Sequence, residues 1–256
     1  VRNTRGVVFD DDKLVMKTFG YTPDFLDKDI VSVMDYLMKA KVERLDQCLI
    51  FDSEEGALIR VFHHAGKWYI TTHRKLDAYR SKWSTKESFG SIFERGLIGR
   101  YESSVEFEEY IGQEGKEHPE KILEIFLSKL DTSRVHTFLV SNTEENRIVC
   151  MAPAIPRVNY VGSFSSDGTE YTFIHMPLLT PRRHNFPTIT AMCNHVQDIN
   201  YHFLQGLIVI MPNIQAFKII NSSYKYYYEL RGNCPSVKFR YLQVRTNGTK
   251  LSLIHI

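Results

Sequence analysis

The sequence predicts an α+β fold that consists mainly of antiparallel β-sheets. Short apolar segments with strand-like alternation recur along most of the chain, and Gly, Pro, Asn or Ser bound them. Helical spacing of apolar residues is clear in only two stretches, 29–40 and 105–130. The chain has 256 residues, 43% of them hydrophobic, so one domain has ample material for a core. We therefore expect a single domain over residues 1–256 with a helical insertion at 105–130.

The individual elements follow from the same patterns, taken in chain order. Two alternating segments around the charged turn 10–12 predict a first hairpin over residues 6–16, and a helix follows at 29–40. A second hairpin region covers residues 48–72, with turn-like composition at 53–56 and 63–66. Between residues 75 and 100 no regular pattern is evident. After the helical insertion, the apolar segments 136–140, 147–151, 171–175, 207–211 and 216–220 predict strands.

The formal charge is almost balanced along the whole chain but not along its halves. The net charge of +2 comes from 32 basic and 30 acidic side chains, which alone favours no polyanionic partner. Residues 1–131 are net acidic, whereas residues 132–256 are net basic. We therefore expect affinity for nucleic acid to depend mainly on the second half.

Hydropathy and the placement of the cysteines indicate the cellular compartment. No apolar run is long enough to span a membrane, which predicts an intracellular, cytoplasmic protein without a membrane partner. The four cysteines are widely separated and form no C-x-x-C pair, so we expect reduced, mostly buried thiols. The chain begins with Val1, and we expect that a preceding segment is missing.

Several kinds of site are disfavoured by the spacing of reactive residues. The histidines lack partners at metal-ligand spacing, and no cysteine lies in a recognisable nucleophile turn. The glycine-rich phosphate loops G-x-x-x-x-G-K-[ST] and G-x-G-x-x-G are absent from the sequence. No metal site is therefore predicted from these patterns.

A set of short motifs in a defined order carries the strongest functional signal. The motifs are Thr4-Arg-Gly-Val-Val-Phe9, Lys17-Thr-Phe19, Ser53-Glu-Glu-Gly56, Thr72-His-Arg-Lys75, Glu145-Asn-Arg-Ile-Val149, Gln205-Gly-Leu-Ile-Val209 and Phe217-Lys-Ile-Ile220. In this order the chain resembles the nucleotidyltransferase domain of phage-type RNA ligases, within the covalent nucleotidyltransferase superfamily. The resemblance extends from Arg5 to about Lys225. It implies an ATP-grasp-like nucleotidyltransferase fold, in which antiparallel sheets flank a nucleotide cleft.

The resemblance also implies a chemistry. In that family a lysine attacks the α-phosphate of ATP and holds AMP as a phosphoramidate, and Mg²⁺ assists. AMP then passes to an RNA 5′-phosphate, and a 3′-hydroxyl displaces it. The implied partners are a nucleotide and RNA, either single-stranded ends or nicked hairpins, in RNA repair or processing. ATP and Mg²⁺ are expected only if the domain is active.

The sequence departs from this family at the reactive positions. Ser53 stands where the nucleophilic lysine of K-x-D-G is required, and Gln205 stands where E-G-x-V has its glutamate. The K-x-K motif keeps only Lys218, and the glutamate of the family's F-E strand has no clear counterpart in Phe138-Leu-Val140. Residues at the positions that contact the backbone or a bound anion in that family are retained. By resemblance, the nucleotide-binding positions are Arg5, Lys17, Phe19, Glu55, Gly56, Arg74, Gly206 and Lys218, with Asn146-Arg147 as a further retained pair.

A competing alignment places the nucleophile elsewhere. Lys75-Leu-Asp-Ala-Tyr-Arg80 matches the superfamily motif K-x-D-G-x-R except for Ala78, so Lys75 is an alternative nucleophile. That motif should lead into an alternating strand, whereas residues 81–88 do not alternate. The Ser53 placement is therefore preferred, and Lys75 is kept as the alternative.

Two functions follow from these observations. The first is an RNA ligase-like nucleotidyltransferase domain that binds ATP and RNA ends. The alternative is a catalytically inactive relative that acts as an RNA- or nucleotide-binding module. The net-basic, tyrosine-rich stretch 224–245 could stack single-stranded bases and neutralise phosphates, or form two amphipathic strands with aromatic inner faces. The sequence does not indicate an oligomeric state.

Overall fold

The computed structural model of the protein describes residues 5–83, 86–141, 148–232 and 234–246. Its strands are β1 (Val7–Asp10), β2 (Lys13–Lys17), β3 (Asp24–Leu26), β4 (Leu49–Ser53), β5 (Ala57–His64), β6 (Lys67–Thr72), β7 (Arg134–Ser141), β8 (Arg157–Ser165), β9 (Tyr171–Thr172), β10 (Arg183–His184), β11 (Gly206–Ile210) and β12 (Ala216–Ile220). Its helices are α1 (Ile30–Lys39), α2 (Phe89–Ser103), α3 (Val105–Ile111), α4 (Gln113–Glu117), α5 (Ile122–Ser128), α6 (Ile189–Asp198), α7 (Ser222–Arg231) and α8 (Val237–Thr246).

Within the described residues the strands form two five-stranded sheets and one separate hairpin. The first sheet has the order β10-β4-β11-β12-β3, in which β3 and β12 run parallel and the other pairs run antiparallel. The second sheet has the order β6-β5-β7-β8-β9 and is antiparallel throughout. The hairpin consists of β1 and β2, as the alternating pattern predicted. The predicted class, α+β with mainly antiparallel sheets, is confirmed.

Alternation along the strands divides the core into layers. One cluster of buried residues joins the outer face of the second sheet to α2, α3 and α5, and a second joins the outer face of the first sheet to α1 and α6. A third cluster lies between the sheets and includes Phe51 and Ile210 from the first sheet and Phe62 and Val135 from the second. Neighbouring residues on one strand therefore face different layers. The inner faces of the sheets enclose the cleft described below.

Residues 53–56 differ from their predicted role as a hairpin turn. Strand β4 belongs to the first sheet and β5 to the second, so Glu54, Glu55 and Gly56 carry the chain from one sheet to the other. The true hairpin in this region is β5-β6, with its turn at Ala65-Gly66. Sequence signals for a turn mark a change of direction but not the sheet to which the next strand belongs.

The helical region begins earlier than the pattern predicted. Helix α2 starts at Phe89, within the stretch where no regular structure was expected. Its apolar pattern is weakened by glycines that permit close packing, since a Cβ at Gly90 would lie 2.7 Å from the Tyr79 ring and one at Gly96 would lie 2.7 Å from Val158. The predicted insertion at 105–130 is itself present as α3, α4 and α5.

Three strand predictions are wrong. Strand β9 comprises only two residues of the predicted segment 171–175. In the segment 147–151, Arg147 lies outside the described residues, and the residues that follow form bends rather than a strand. The stretch 224–245 forms most of α7 and α8 rather than two amphipathic strands, and Tyr224 is buried while Tyr226 and Phe239 are exposed. In so short a segment, aromatic residues at every second or third position are compatible both with the two-residue period of a strand and with the 3.6-residue period of a helix.

Two further predictions concern the whole chain. Cys48, Cys150 and Cys193 are buried as free thiols, and Cys234 is partly exposed, as expected for reduced cysteines. Among the described residues, no helix combines the length and apolar composition that crossing a bilayer requires.

Candidate functional site

A cavity of about 490 Å³ lies between the inner faces of the two sheets. Its polar lining includes Arg5, Asp24, Asp52, Ser53, Glu54, His73, Gln205 and Lys218. Its apolar lining includes Phe19, Leu58, Leu139, Val161, Phe173, Ile208 and Ile210. Apolar walls with a few convergent polar groups are typical of small-molecule sites. The cavity also brings together six of the residues that the motifs selected, namely Arg5, Phe19, Ser53, Gly56, Gln205 and Lys218.

Ser53, Gln205 and Lys218 lie together because three strands of the first sheet are adjacent. Ser53 is the last residue of β4 and pairs with Gly206 at the start of β11. The backbone N–H of Gln205 donates to the carbonyl oxygen of Ser53 at 2.9 Å. Lys218, on β12, donates from Nζ to Oε1 of Gln205 at 3.2 Å. The Ser53 side chain is buried, and a hydroxyl rather than an amine occupies this position.

Lys218 is a half-buried cation on the cavity wall. Burial lowers the pKa of its amine, and Asp24 and Glu55 oppose that shift through their charges. Its hydrogen-bond partner in this site is the neutral amide of Gln205 rather than a carboxylate. Lys218 is therefore suited to hold a phosphate at the floor of the cavity.

Gly206 permits the close approach of β11 and β12 at this point. Its φ is +151°, and an added Cβ would lie 2.0 Å from the carbonyl oxygen of Ile219. No side chain fits that space without movement of the backbone. The tight approach of β11 and β12 therefore requires glycine at this position of the motif, next to Gln205.

Residues 54–56, which connect β4 to β5, form a crossover between the two sheets. The two glutamates of this crossover, Glu54 and Glu55, have different surroundings. The Glu55 carboxylate accepts from the backbone N–H groups of Ile148, Val149 at 3.0 Å and Cys150 at 3.2 Å, and from the Tyr224 hydroxyl at 3.0 Å. Both of its oxygens are therefore occupied by hydrogen bonds to the 148–150 loop and to α7. We therefore assign Glu55 a structural role, although the motif had placed it among the nucleotide-binding residues.

Glu54 faces the cavity and is less fully partnered. Its Oε2 accepts from Nδ2 of Asn159 at 2.7 Å, and its backbone oxygen accepts from Nε2 of Gln205 at 2.7 Å. Burial raises the pKa of the Glu54 carboxyl, while the charge of Arg157 and the bond from Asn159 oppose the rise. The surroundings of Glu54 therefore disfavour the charged form of its carboxyl relative to water.

The first hairpin contributes one end of the cavity. Phe19 is buried against Phe164 in an edge-to-face contact, with ring centroids 4.7 Å apart, and Arg5 is exposed beside the Tyr21 ring. Lys17 is exposed on β2 and does not belong to the described lining of either cavity. Of the three positions that the resemblance selected here, the structure places Arg5 and Phe19 in the cavity lining but not Lys17.

A second cavity of about 360 Å³ lies on the other side of the crossover and shares Glu54 and Gly56 with the first. Its lining includes Arg74, Lys82, Trp83, Arg157 and Phe203. Basic and aromatic side chains are thus concentrated beside the first cavity. Arg74 lies in this second cavity rather than the first.

Lys75, the alternative nucleophile, lies away from the described lining of both cavities. Its side chain is exposed, and its backbone closes a turn after β6, with the carbonyl oxygen accepting from Thr72 N at 2.9 Å. Asp77 then caps a short 3₁₀ helix at Ala78–Arg80. The segment therefore forms a turn at the edge of the second sheet, not a strand that supports a nucleotide. Asn146 and Arg147, the other retained pair, lie outside the described residues.

Sequence reasoning assigned no site role to two residues near the cavity, Arg60 and His73, although His73 lies in the motif Thr72-His-Arg-Lys75. Arg60 lies on β5 with Leu58 and Phe62, and all three face the inner side of the second sheet. The signal was present as a charged residue at an inward position of an otherwise apolar strand. His73 immediately follows β6 and lines the first cavity.

The carboxylates near the cavity do not form an evident metal site. Among the described residues no group of three or more His, Cys, Asp or Glu side chains is placed to hold a metal ion. Asp52 pairs with His184 at 2.7 Å, and Glu54 accepts from Asn159. Gln205 lacks the charge of the family's glutamate. These residues do not fit a Mg²⁺ ion well.

Comparison with known proteins finds viral relatives. No protein-family model matches the sequence. The chain is 27% identical over 265 residues to the immediate-early protein ICP-46 homolog of Invertebrate iridescent virus 6, covering 97% of this chain and 54% of that protein. It is 30% identical over 213 residues to the homolog of Invertebrate iridescent virus 3, covering 81% and 43%. Identity to ICP-46 of Frog virus 3 is 26% over 214 residues. The chain spans about half the length of these relatives.

Comparison of folds finds ligases. The structure is similar to an RNA ligase of Naegleria gruberi, with a TM-score of 0.49, 8% identity and coverage of 88% of this chain and 60% of that one. It is also similar to an archaeal ATP-dependent RNA ligase, with a TM-score of 0.48, 12% identity and coverage of 96% and 62%. A putative ATP-dependent DNA ligase from Aquifex aeolicus has a TM-score of 0.46, 12% identity and coverage of 94% and 64%.

Proposed function

We propose that this domain binds a nucleotide or a phosphorylated RNA end in the cavity between its sheets without forming a covalent nucleotidyl intermediate. The observation that supports it is the buried position of Ser53, beside Gln205 and Lys218 in the cavity. A serine hydroxyl at this position is not the amine that a phosphoramidate requires. The proposal thus corresponds to an RNA ligase-like domain that retains binding but not nucleotidyl transfer.

The lining of the first cavity supports binding of a nucleotide. Leu58, Leu139 and Val161 on one sheet and Ile208 on the other offer apolar surface to a base. Lys218 and the nearby basic residues offer charge to phosphates. Apolar and cationic groups are therefore both available within one space.

The second cavity supports RNA as the larger partner. It adjoins the first at the crossover, and Trp83 and Phe203 can stack bases while Arg74, Lys82 and Arg157 neutralise phosphates. A single strand whose 5′ end occupies the first cavity can continue into the second. We infer that single-stranded ends are the preferred form of RNA.

Incubation with α-labelled ATP and Mg²⁺, followed by denaturing electrophoresis, tests the loss of chemistry. The wild-type protein is expected to retain no label. Label that survives denaturation and is lost in Lys75→Ala would overturn the proposal in favour of an active ligase.

Calorimetric titration with ATP and with a 5′-phosphorylated RNA oligonucleotide tests the binding itself. Lys218→Met is expected to weaken ATP binding about tenfold, because a charge-assisted contact to phosphate is lost. Lys225→Met is the matched control, since Lys225 lies on α7 and pairs with Glu229 at 3.5 Å. Absence of ATP and RNA binding by the wild-type protein would contradict the proposal.

A further inference from the structure

Arg60 carries a buried charge that has no acidic partner. Its side chain is 97% buried, with a relative exposure of 3%. One guanidinium nitrogen donates to the carbonyl oxygen of Thr72. Within the described part of the chain, Nε and Nη1 have no hydrogen-bond partner. A buried charge is costly unless it is paired, so this arrangement requires an explanation.

The position of Arg60 relates this charge to the first cavity. Leu58, two residues earlier on β5, lines the cavity, and Phe62, two residues later, belongs to the core between the sheets. Because side chains alternate along a strand, Arg60 lies on that same inner face. Its guanidinium is therefore between the cavity and the inter-sheet core.

Two other basic residues are close to Arg60 at this end of the cavity. His73 and Arg5 both line the cavity. Burial lowers the pKa of the His73 imidazole, and the charges of Arg60, Arg5 and Arg74 lower it further. His73 is held by a hydrogen bond to the backbone of Gly20, and its Nδ1 is buried without a partner among the described residues. The positive charges of Arg5 and Arg60 thus lie near an imidazole that has an unused ring nitrogen.

The acidic residues of the described cavity lining are Asp24, Asp52 and Glu54, and the charge of Asp24 acts on Lys218. Asp52 is paired with His184, and Glu54 accepts from Asn159. In the described ranges, none of the ion pairs involves Arg5, Arg60 or His73. Among the described residues, Arg60 therefore has unused donors for an anion that enters the cavity.

We propose that Arg60 and His73, with Arg5, form a second anion subsite that takes the phosphate chain of a nucleoside di- or triphosphate or of an RNA 5′-triphosphate. The proposal rests on the function proposed above and specifies its ligand class. Lys218 belongs to the first sheet, whereas Arg60 belongs to the second and His73 follows its strand β6, so the cavity has basic side chains on two walls. A single phosphate meets one wall, whereas a phosphate chain can meet both. Since Nε and Nη1 are covered by protein atoms, contact with the anion requires a rotamer change of Arg60.

The test compares Arg60→Met with Arg134→Met. Methionine keeps the apolar stem of Arg60 but removes its charge. Arg134 is a partly buried arginine of the same sheet with satisfied bonds, donating to Ser163 Oγ at 2.9 Å and Thr172 Oγ1 at 2.9 Å. Thermal unfolding of the free proteins and calorimetric titration with tripolyphosphate, ATP, AMP and 5′-triphosphorylated RNA are measured for each.

The subsite predicts opposite behaviour for the two variants. Arg60→Met should keep or raise the melting temperature and weaken tripolyphosphate and ATP binding tenfold or more, with AMP changed less than threefold. Arg134→Met should lower the melting temperature and leave all affinities unchanged. Comparison of ATP with triphosphorylated RNA identifies which source of the phosphate chain is preferred.

Other outcomes overturn the proposal in distinguishable ways. If Arg60→Met is destabilised and binds ATP and tripolyphosphate as the wild type does, Arg60 is structural and water satisfies it. If the wild type binds AMP and ATP equally and does not bind tripolyphosphate, the subsite is refuted while nucleotide binding stands. If it binds neither nucleotides nor RNA, the proposed function itself fails. His73→Gln provides a second variant, with a smaller loss of ATP affinity expected.

Discussion

Gln205 links Ser53 to Lys218 through two hydrogen bonds, from its backbone N–H to the Ser53 carbonyl oxygen at 2.9 Å and from Lys218 Nζ to its Oε1 at 3.2 Å. A third bond runs from its Nε2 to the backbone oxygen of Glu54 at 2.7 Å. The side chain thus fastens the crossover to the first sheet. Its amide supplies both a donor and an acceptor, which a glutamate carboxylate does not.

Removal of this side chain should therefore loosen the site. Gln205→Ala is expected to lower the free energy of unfolding by about 2 kcal/mol, because two side-chain hydrogen bonds are lost in a partly buried place. Urea denaturation measures the change. Gln215→Ala, at an exposed position, is the control and should change stability by less than about 0.5 kcal/mol. Equal effects of the two substitutions would contradict the structural role of Gln205.

Gly206 gives a prediction about backbone fit. Gly206→Ala should destabilise the protein by about 3 kcal/mol or more, because the new Cβ would lie 2.0 Å from a backbone oxygen and φ is +151°. Gly99→Ala is the control, since its Cβ would be 3.5 Å from the end of the Ile155 side chain and Gly99 lies in α2. The control should gain about 0.5–1 kcal/mol from helix propensity. Circular dichroism during thermal unfolding distinguishes the two.

Glu54 and Glu55 should respond in opposite ways to the loss of charge. Glu55→Gln is expected to cost about 2–3 kcal/mol, because an amide cannot accept all the bonds from the 148–150 loop and Tyr224. Glu54→Gln should be neutral or slightly stabilising, because burial already disfavours its charged form and an amide oxygen can still accept from Asn159. Denaturant titration of both variants at pH 7 provides the comparison. A larger loss for Glu54→Gln would show that its charge is required.

His136 predicts how stability depends on pH. Its side chain is fully buried, with Nε2 3.0 Å from the Asp131 carbonyl oxygen and Nδ1 without a partner among the described residues. Burial lowers its pKa, so the unfolded chain binds a proton more readily than the folded protein does. Stability should therefore fall as pH decreases below the unfolded value of about 6.5, by up to about 1.4 kcal/mol per pH unit for this group.

The His136 contribution can be isolated by substitution. His136→Gln keeps a donor for the Asp131 oxygen but cannot titrate. The slope of unfolding free energy between pH 5.5 and 7.5 should be shallower in this variant than in the wild type. Parallel slopes would assign the pH dependence to other groups, such as His73 and His195, whose pKa values are also lowered by burial.

The sequence was most informative where local pattern and structure coincide. Alternation identified the hairpins β1-β2 and β5-β6, and short apolar segments identified the strands β11 and β12. The motif order selected Ser53, Gln205 and Lys218, which the first sheet brings together. Ser53 and Lys218 belong to strands that flank β11, and Gln205 immediately precedes β11. The connection from β11 to β12 is short, whereas the pairing of β4 with β11 joins segments that are distant in the chain.

The remaining features depend on contacts between distant segments. Helix α2 was missed because its glycines fit against Tyr79 and Val158, which no window of sequence reveals. Glu55 looked like a ligand-binding residue, yet its partners lie more than 90 residues away in the chain. Arg60 was overlooked since its lack of an acidic partner is a property of the folded protein alone.

The three-residue crossover from β4 to β5 limits how the cleft can open. Four Cα–Cα steps join Ser53 to Ala57, which can span no more than about 14 Å. The Gln205 side chain and the Ser141 hydroxyl, which donates to the Glu55 carbonyl oxygen at 2.9 Å, fix this link at both sheets. The sheets therefore cannot part along this edge. Admission of a bulky ligand has to proceed by hinging about residues 54–56, with the widest displacement at the side remote from them.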